Sequence, residues 1–280
     1  MENKEVVKQE KTEFQEYITS KIEDEAPSKE QTFGGIGLGI GYLFIFTPII
    51  ASIWSIFNPD VTKSTLYVSI IQIIAGVITL VATGFIIGKG KVLKILKGFN
   101  FKNLGIAATF VALAFAASIL VGYLERALFG DGEISSSNQE SVENMILNYK
   151  FVGFIMVAII APFVEEIIFR YFVFRGSQKA WGTVAAFIIT VVSFAGIHYL
   201  NSIMAGTLLE DLKSVLSYLV PSFIMTFLYF KNKNLATPIM FHMLFNGIQF
   251  VLMIASASVD FGDGGSSISG VTQALINLLG

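Results

Sequence analysis

The 280 residues contain no cysteine, which excludes disulfides, thiol nucleophiles and thiolate metal sites and leaves the redox compartment unread. Charge is scarce as well. Asp, Glu, Lys and Arg make up 14% of the chain, where a soluble domain carries about 25%. A net charge of −2 offers no basic field for nucleic acid. Arginine is confined to Arg126, Arg170 and Arg175, and histidine to His198 and His242. No GxSxG serine elbow, no HExxH helix and no cofactor-binding motif occurs, and neither internal repeats nor the paired broken helices of transporters are visible. Residues 1–31 are dense in charge and lack the apolar stretch of a signal peptide. They are expected to form a polar cytoplasmic tail with some helix around Phe14 to Ile22.

Apolar residues, in contrast, are abundant. They reach 54% of the chain, with 26 Phe and 25 Gly. Segments of about 20 apolar residues, enough to cross a bilayer, lie near 34–57, 66–88, 104–124, 151–174, 182–200, 214–230 and 235–257. The expected fold is an all-α polytopic bundle of about seven spans, or eight with a re-entrant piece, occupying 32–258, with a short tail over 259–280. Lys89, Lys91, Lys94, Lys97 and Lys102 follow the second span, Arg175 and Lys179 the fourth, and Lys231 and Lys233 the sixth. The alternate loops lean acidic, with Glu125, Asp131, Glu133, Glu140 and Glu143, then Glu210 and Asp211, and finally Asp260 and Asp263. This asymmetry predicts a cytoplasmic N-terminus. The glycines of GGIGLGIG (34–41) suit close helix packing.

Three ionisable residues interrupt the fourth span, in the string APFVEEIIFRYFVF. Each costs about 2.5–3.5 kcal/mol at mid-membrane, so such groups normally face a cavity and have a function. Glu166 and Arg170 stand at i and i+4, the favourable order for an ion pair on one helix face. Glu165 is rotated by about 100° from Glu166 and has no such partner, which leaves it to exchange a proton with water. Both histidines also fall in apolar segments, His198 one turn after Phe194, and His242 one turn before Asn246 with Gln249 continuing the stripe. These are the parts of a hydrolase. Glu165 would take a proton from water with His198 orienting it, while His242 and Asn246 would hydrogen-bond a developing oxyanion.

In this order, Glu165-Glu166-xxx-Arg170, Phe194-xxx-His198 and His242-xxx-Asn246 resemble the three signature motifs of the CPBP family, which groups type II CAAX prenyl proteases with bacteriocin-processing and immunity (Abi) proteins. The likeness covers about residues 160 to 250, within a protease core of about 150–258. It implies an intramembrane glutamic endopeptidase without a cofactor, in which Glu165 and His198 act on water, His242 and Asn246 hold the oxyanion, and Glu166, Arg170 and Phe194 support them.

A zinc site built from Glu165, His198 and His242 is the nearest rival, and a non-catalytic membrane immunity protein is another. The lysine-rich composition and short chain suggest a bacterial plasma-membrane protein, with a membrane-associated peptide or protein such as a bacteriocin precursor as partner besides the lipid bilayer. Arg170 and His242 lie toward the inner side, so the cleft is expected to open to the cytoplasm. One element fits poorly. At 1.5 Å per residue His198 lies about 24 Å from the inner end of its span, Glu165 about 15 Å and His242 about 10 Å. Convergence of the three requires an elbow over 177–183 or a strong tilt.

Overall fold

In segments this apolar, backbone N–H and C=O groups have no partners except one another, so the chain must coil into helices. The computed structural model describes residues 26–57, 64–130 and 136–257. Among them the regular elements are helical, with no strand. The expected helix around Phe14 to Ile22, the 259–280 tail, and Asp131, Glu133, Asp260 and Asp263 lie outside the described residues.

Helix α1 (Lys29–Ser55) begins inside the expected polar tail. Ser28 Oγ accepts the Gln31 N–H at 3.1 Å, and Gln31 Oε1 accepts the Ser28 N–H at 3.0 Å. This reciprocal cap starts the helix five residues before the apolar run does. Next come α2 (Thr65–Ile87), the short basic α3 (Lys89–Lys97), α4 (Phe101–Phe129) and the polar α5 (Ser137–Asn148). Composition had suggested only a loop where α3 stands. Glu125, expected in a loop, instead lies within α4 at 3% exposure, with both carboxylate oxygens 3.5 Å from Ser217 Oγ.

Among the described residues six helical runs are long and apolar enough to cross a membrane. One of them, Lys150–Ile197, has 48 residues and would reach about 72 Å, more than twice the ~30 Å hydrocarbon core. It breaks at Gly182, where φ is 81° and ψ 174°, a conformation that is essentially glycine's alone. The break separates α6 (150–181) from α7 (183–197), and counting these as two gives seven spans. It falls within the 177–183 stretch where an elbow was expected. The two arms fold back on each other, with ring centroids 5.2 Å apart for Phe169 and Phe194 and 5.2 Å for Phe174 and Phe187. The chain continues through α8 (Leu200–Ala205), α9 (Leu208–Asn232) and α10 (Ala236–Ala257).

Helix α6 outlasts the fourth apolar segment by seven residues because its polar side chains find partners. Arg175 Nη1 donates to Gln178 Oε1 at 2.9 Å, and Gln178 Nε2 donates to Thr183 Oγ1 at 3.0 Å. The Arg175 guanidinium also lies 5.3 Å from the Tyr229 ring centroid. Close packing completes the contact with α1, where Gly35 and Gly39 face Phe172 and Ile168 of α6.

Cross-links sort the helix ends into two faces. On one, Gln31 Nε2 donates to Ile86 O at 2.7 Å, Lys91 Nζ to Tyr171 OH at 2.5 Å, and Asn234 Nδ2 to Lys94 O at 3.1 Å. This lysine-rich face gathers the start of α1, the end of α2, α3, the Gly182 bend and the α9–α10 turn. On the opposite face Asp211 Oδ2 accepts from the Ser137 N–H and Oγ at 2.8 Å each and from Ser202 Oγ at 2.5 Å. These bonds tie α5 to α8 and the start of α9. Phe85, Val81, Ile188 and Val192 are exposed on the outside, an apolar surface suited to lipid. Gly182→Ala has room for its methyl group but is expected to cost about 1–3 kcal/mol through backbone strain. Thermal unfolding in detergent should show a lowered midpoint, and an unchanged midpoint would mean that the bend does not need glycine.

Candidate active site

The site grows out of an irregularity in α6. Residues Met156–Ile160 are wound as π-helix, and the Ala161 N–H donates to Met156 O, five residues back. The next rung in that register would run from residue 162 to Val157 O, and residue 162 is proline, which has no N–H. The orphaned carbonyl is satisfied from another helix, since Asn246 Nδ2 of α10 donates to Val157 O at 3.0 Å. A second π-wound stretch, Ile167–Phe174, follows the glutamates. Such segments often mark functional sites. Here they leave Glu166 facing the protein interior and Glu165 facing a cavity.

Glu166 and Arg170 are both fully buried, with Oε1 and Nη1 3.0 Å apart. That contact is an ion pair whose angle falls short of a hydrogen bond, and Glu166 Oε2 and Arg170 Nε have no hydrogen-bond partner among the described residues. Arg170 Nη2 donates to Ser222 O at 3.3 Å, and its guanidinium carbon stands 4.4 Å from the Phe194 ring centroid. The same Glu166 Oε1 accepts from His242 Nδ1 at 3.0 Å. This bond places the Nδ1 proton toward Glu166 and turns Nε2 toward Glu165 Oε2, 3.9 Å away. The Glu165 side chain retains 18% exposure.

His198 closes α7. Its Nδ1 lies 2.9 Å from Phe194 O. A carbonyl can only accept, so Nδ1 donates and Nε2 presents a lone pair. The imidazole packs against Tyr218, with ring centroids 4.5 Å apart, and the Tyr218 hydroxyl bonds Ser136 Oγ at 2.8 Å. Phe194 sits between the histidines, 5.0 Å from the His198 ring and 6.0 Å from the His242 ring.

Glu165, His198, His242, Asn246 and Phe194 all line one cavity of about 780 Å³, while Glu166 and Arg170 lie behind its wall. No direct bond joins Glu165 to His198; the imidazole facing Glu165 is that of His242. Among the described residues no group of three His, Asp or Glu side chains is placed to hold a metal ion, the set of Glu165, His198 and His242 included.

The mismatch in depth disappears once the helix ends are known. Glu165 stands 17 residues before Gly182 and His198 16 residues after it, about 25 and 24 Å along the two arms. Helix α10 starts from buried residues, Leu235, Ala236 and Thr237, so His242, six residues on, reaches the same level. The exposed part of the cavity lining, Thr65 at the start of α2 and Ser141 and Asn144 of α5, belongs to the half opposite the lysine-rich face, while Glu165 and His242 form its buried end. With α6 ending at 181 instead of 174, Glu165 is no longer close to the lysine-bearing end.

Two roles were not visible in the sequence. The hold of Glu166 on His242 joins residues 76 apart, beyond the reach of helical spacing. Tyr218 belongs to no motif, and only its single turn of separation from Ser222 links it with the site. Glu166→Gln and Arg170→Met are each expected to destabilise the protein by about 3–5 kcal/mol, because each strands a buried charge. Thermal or denaturant unfolding of the double variant should recover part of that loss. Strictly additive losses would show that the two residues are not coupled.

Residues 147–248 match the family described as type II CAAX prenyl endopeptidase Rce1-like. Over 149 residues the chain is 31% identical to a Bacillus subtilis (strain 168) protein named "Putative membrane peptidase YdiL"; the match takes in 53% of this chain and 55% of that one. The chain thus spans about half the length of the curated relative it matches. No solved structure matches.

Proposed function

We propose that this chain is an intramembrane endopeptidase of the glutamic type, since residues 147–248 match the family described as type II CAAX prenyl endopeptidase Rce1-like. It would hydrolyse a peptide bond in a membrane-associated peptide or protein. The observation that carries the reading is the unequal placement of the two glutamates, with Glu165 on the cavity wall and Glu166 bound behind it to Arg170 and His242.

The chemistry follows from that placement. A water between Glu165 and His198 Nε2 gives a proton to the Glu165 carboxylate, and its oxygen attacks the substrate carbonyl carbon. The carbonyl π pair moves onto oxygen. His242 enters the step as imidazolium, with its Nδ1 hydrogen on Glu166 and its Nε2 hydrogen directed at this oxyanion, and keeps both protons throughout. Asn246 spends one amide hydrogen on Val157 O and has a second for the oxyanion. Glu165 then passes its proton to the amide nitrogen, the C–N bond breaks, and an acid and an amine leave. Glu166 and Arg170 position these groups from behind the cavity wall, and Phe194 does so from within the lining.

A bacteriocin precursor or another exported peptide is a fitting substrate, and the setting is a bacterial plasma membrane with the N-terminus inside. Zinc-dependent hydrolysis and a non-catalytic immunity role predict different results. Glu165→Gln is expected to lower cleavage by about 10²–10⁴-fold with the unfolding midpoint unchanged, as measured on peptides released in cells and with purified protein. A variant that keeps full cellular function would favour the immunity role. Cleavage should also persist after chelation, and its loss with restoration by zinc would favour the metal scheme.

A further inference from the structure

The two faces of the bundle differ sharply in charge. Among the described residues ten Lys and Arg stand on the lysine-rich face, from Lys29 to Lys233, against Arg126, Lys150 and Lys213 on the other. Acids are distributed the opposite way. Glu30 is the described acid on the lysine-rich face, whereas Glu140, Glu143, Glu210 and Asp211 stand on the opposite one. Membrane proteins retain their basic short loops in the cytoplasm, so the lysine-rich face is the inner one.

The cavity lies in the other half. Its outer rim includes Thr65, Ser141 and Asn144, all exposed, and its deep end is formed by Glu165 and by His242 at 6% exposure. From Lys150, where α6 begins on the outer side, Glu165 is 15 residues in, about 22 Å along the axis. The bend lies about 25 Å beyond it, so Glu165 stands near the middle of its arm and a reacting bond must travel about halfway into the ~30 Å hydrocarbon layer.

The rim chemistry narrows what makes that journey. Thr65 and Gln72 of α2 and Asn138, Ser141 and Asn144 of α5 offer hydroxyls and amides that match backbone N–H and C=O groups, and Glu143 adds a carboxylate that disfavours an anionic headgroup. Leu43, Val68 and Phe250 stand among them, as a segment arriving from lipid requires. Helix α5 lies over this rim and is held there by Ser137 on Asp211 and by Ser136 on Tyr218.

We propose that the cavity opens to the extracytoplasmic side and that its substrate class is the extracytoplasmic, membrane-proximal stretch of a membrane-anchored polypeptide. This inference rests on the peptidase reading for the word substrate, but not for the direction of the cavity.

The absence of native cysteine provides the test. S141C on the rim and K97C on α3 are made separately in the full chain, and bacterial cells expressing each are treated with a membrane-impermeant maleimide. The expected result is that S141C labels in intact cells to the level seen after permeabilisation, whereas K97C labels only after permeabilisation. The reverse pattern, labelling of both in intact cells, or labelling of neither until permeabilisation overturns the proposed direction.

The substrate class is read by proteomics of wild type against Glu165→Ala. Glu165-dependent fragments should map to outward-facing ends of membrane-anchored proteins. Fragments from cytoplasmic ends, or from freely exported peptides without an anchor, overturn the substrate class. If S141C labels from outside and no Glu165-dependent fragment is found, the peptidase reading fails and the cavity direction stands.

Discussion

One carboxylate oxygen, Glu166 Oε1, lies 3.0 Å from both Arg170 of its own helix and His242 of α10. In a dry interior a charge stripped of one partner is worth several kcal/mol of destabilisation, so neither neighbour can move alone. Arg170 in turn lies against Phe194, which brings α7 into the same unit. The orientation of His242, the seat of Phe194 and the separation of Glu165 from its sister residue all depend on this buried charge. Its second oxygen lacks a hydrogen-bond partner among the described residues, and an apolar cluster of equal volume would pack without that cost. An arrangement with such a penalty makes sense where an imidazole has to be aimed.

A second constraint joins α6 to α10 without any charge. Pro162 cannot supply the N–H that the π-wound stretch calls for, and Asn246 donates to Val157 O instead. Inside a membrane a carbonyl without a donor is expensive, so a missing backbone proton in one helix dictates a polar side chain in another. Asn246 thereby acquires a fixed position, four residues beyond His242 and on the same side of α10. The groups assigned to the oxyanion are thus held by two unrelated interactions, one ionic and one neutral.

Much of this was legible in the residues. The 100° turn between adjacent helical positions separated Glu165 from Glu166, and the i, i+4 pairs at Phe194 and His198 and at His242 and Asn246 named the other contributors. Hydropathy located the spans but misplaced their ends wherever polar side chains satisfy one another. Arg175 and Gln178 read as the end of a span, yet their mutual bond carries α6 on to residue 181. That error of seven residues produced the apparent depth mismatch between Glu165 and His198. Contacts between distant segments, such as Tyr218 on His198, leave no periodic trace in a single chain.

The bend at Gly182 ties the lengths of two helices together. Glu165 and His198 reach the same level because 17 residues precede the bend and 16 follow it. One residue added to either arm would lift its cavity-lining group by about 1.5 Å and swing it by about 100°. Related sequences that keep the chemistry should therefore vary freely in α5 or in the termini, while gaps between the glutamates and His198 should be absent or compensated on the other arm.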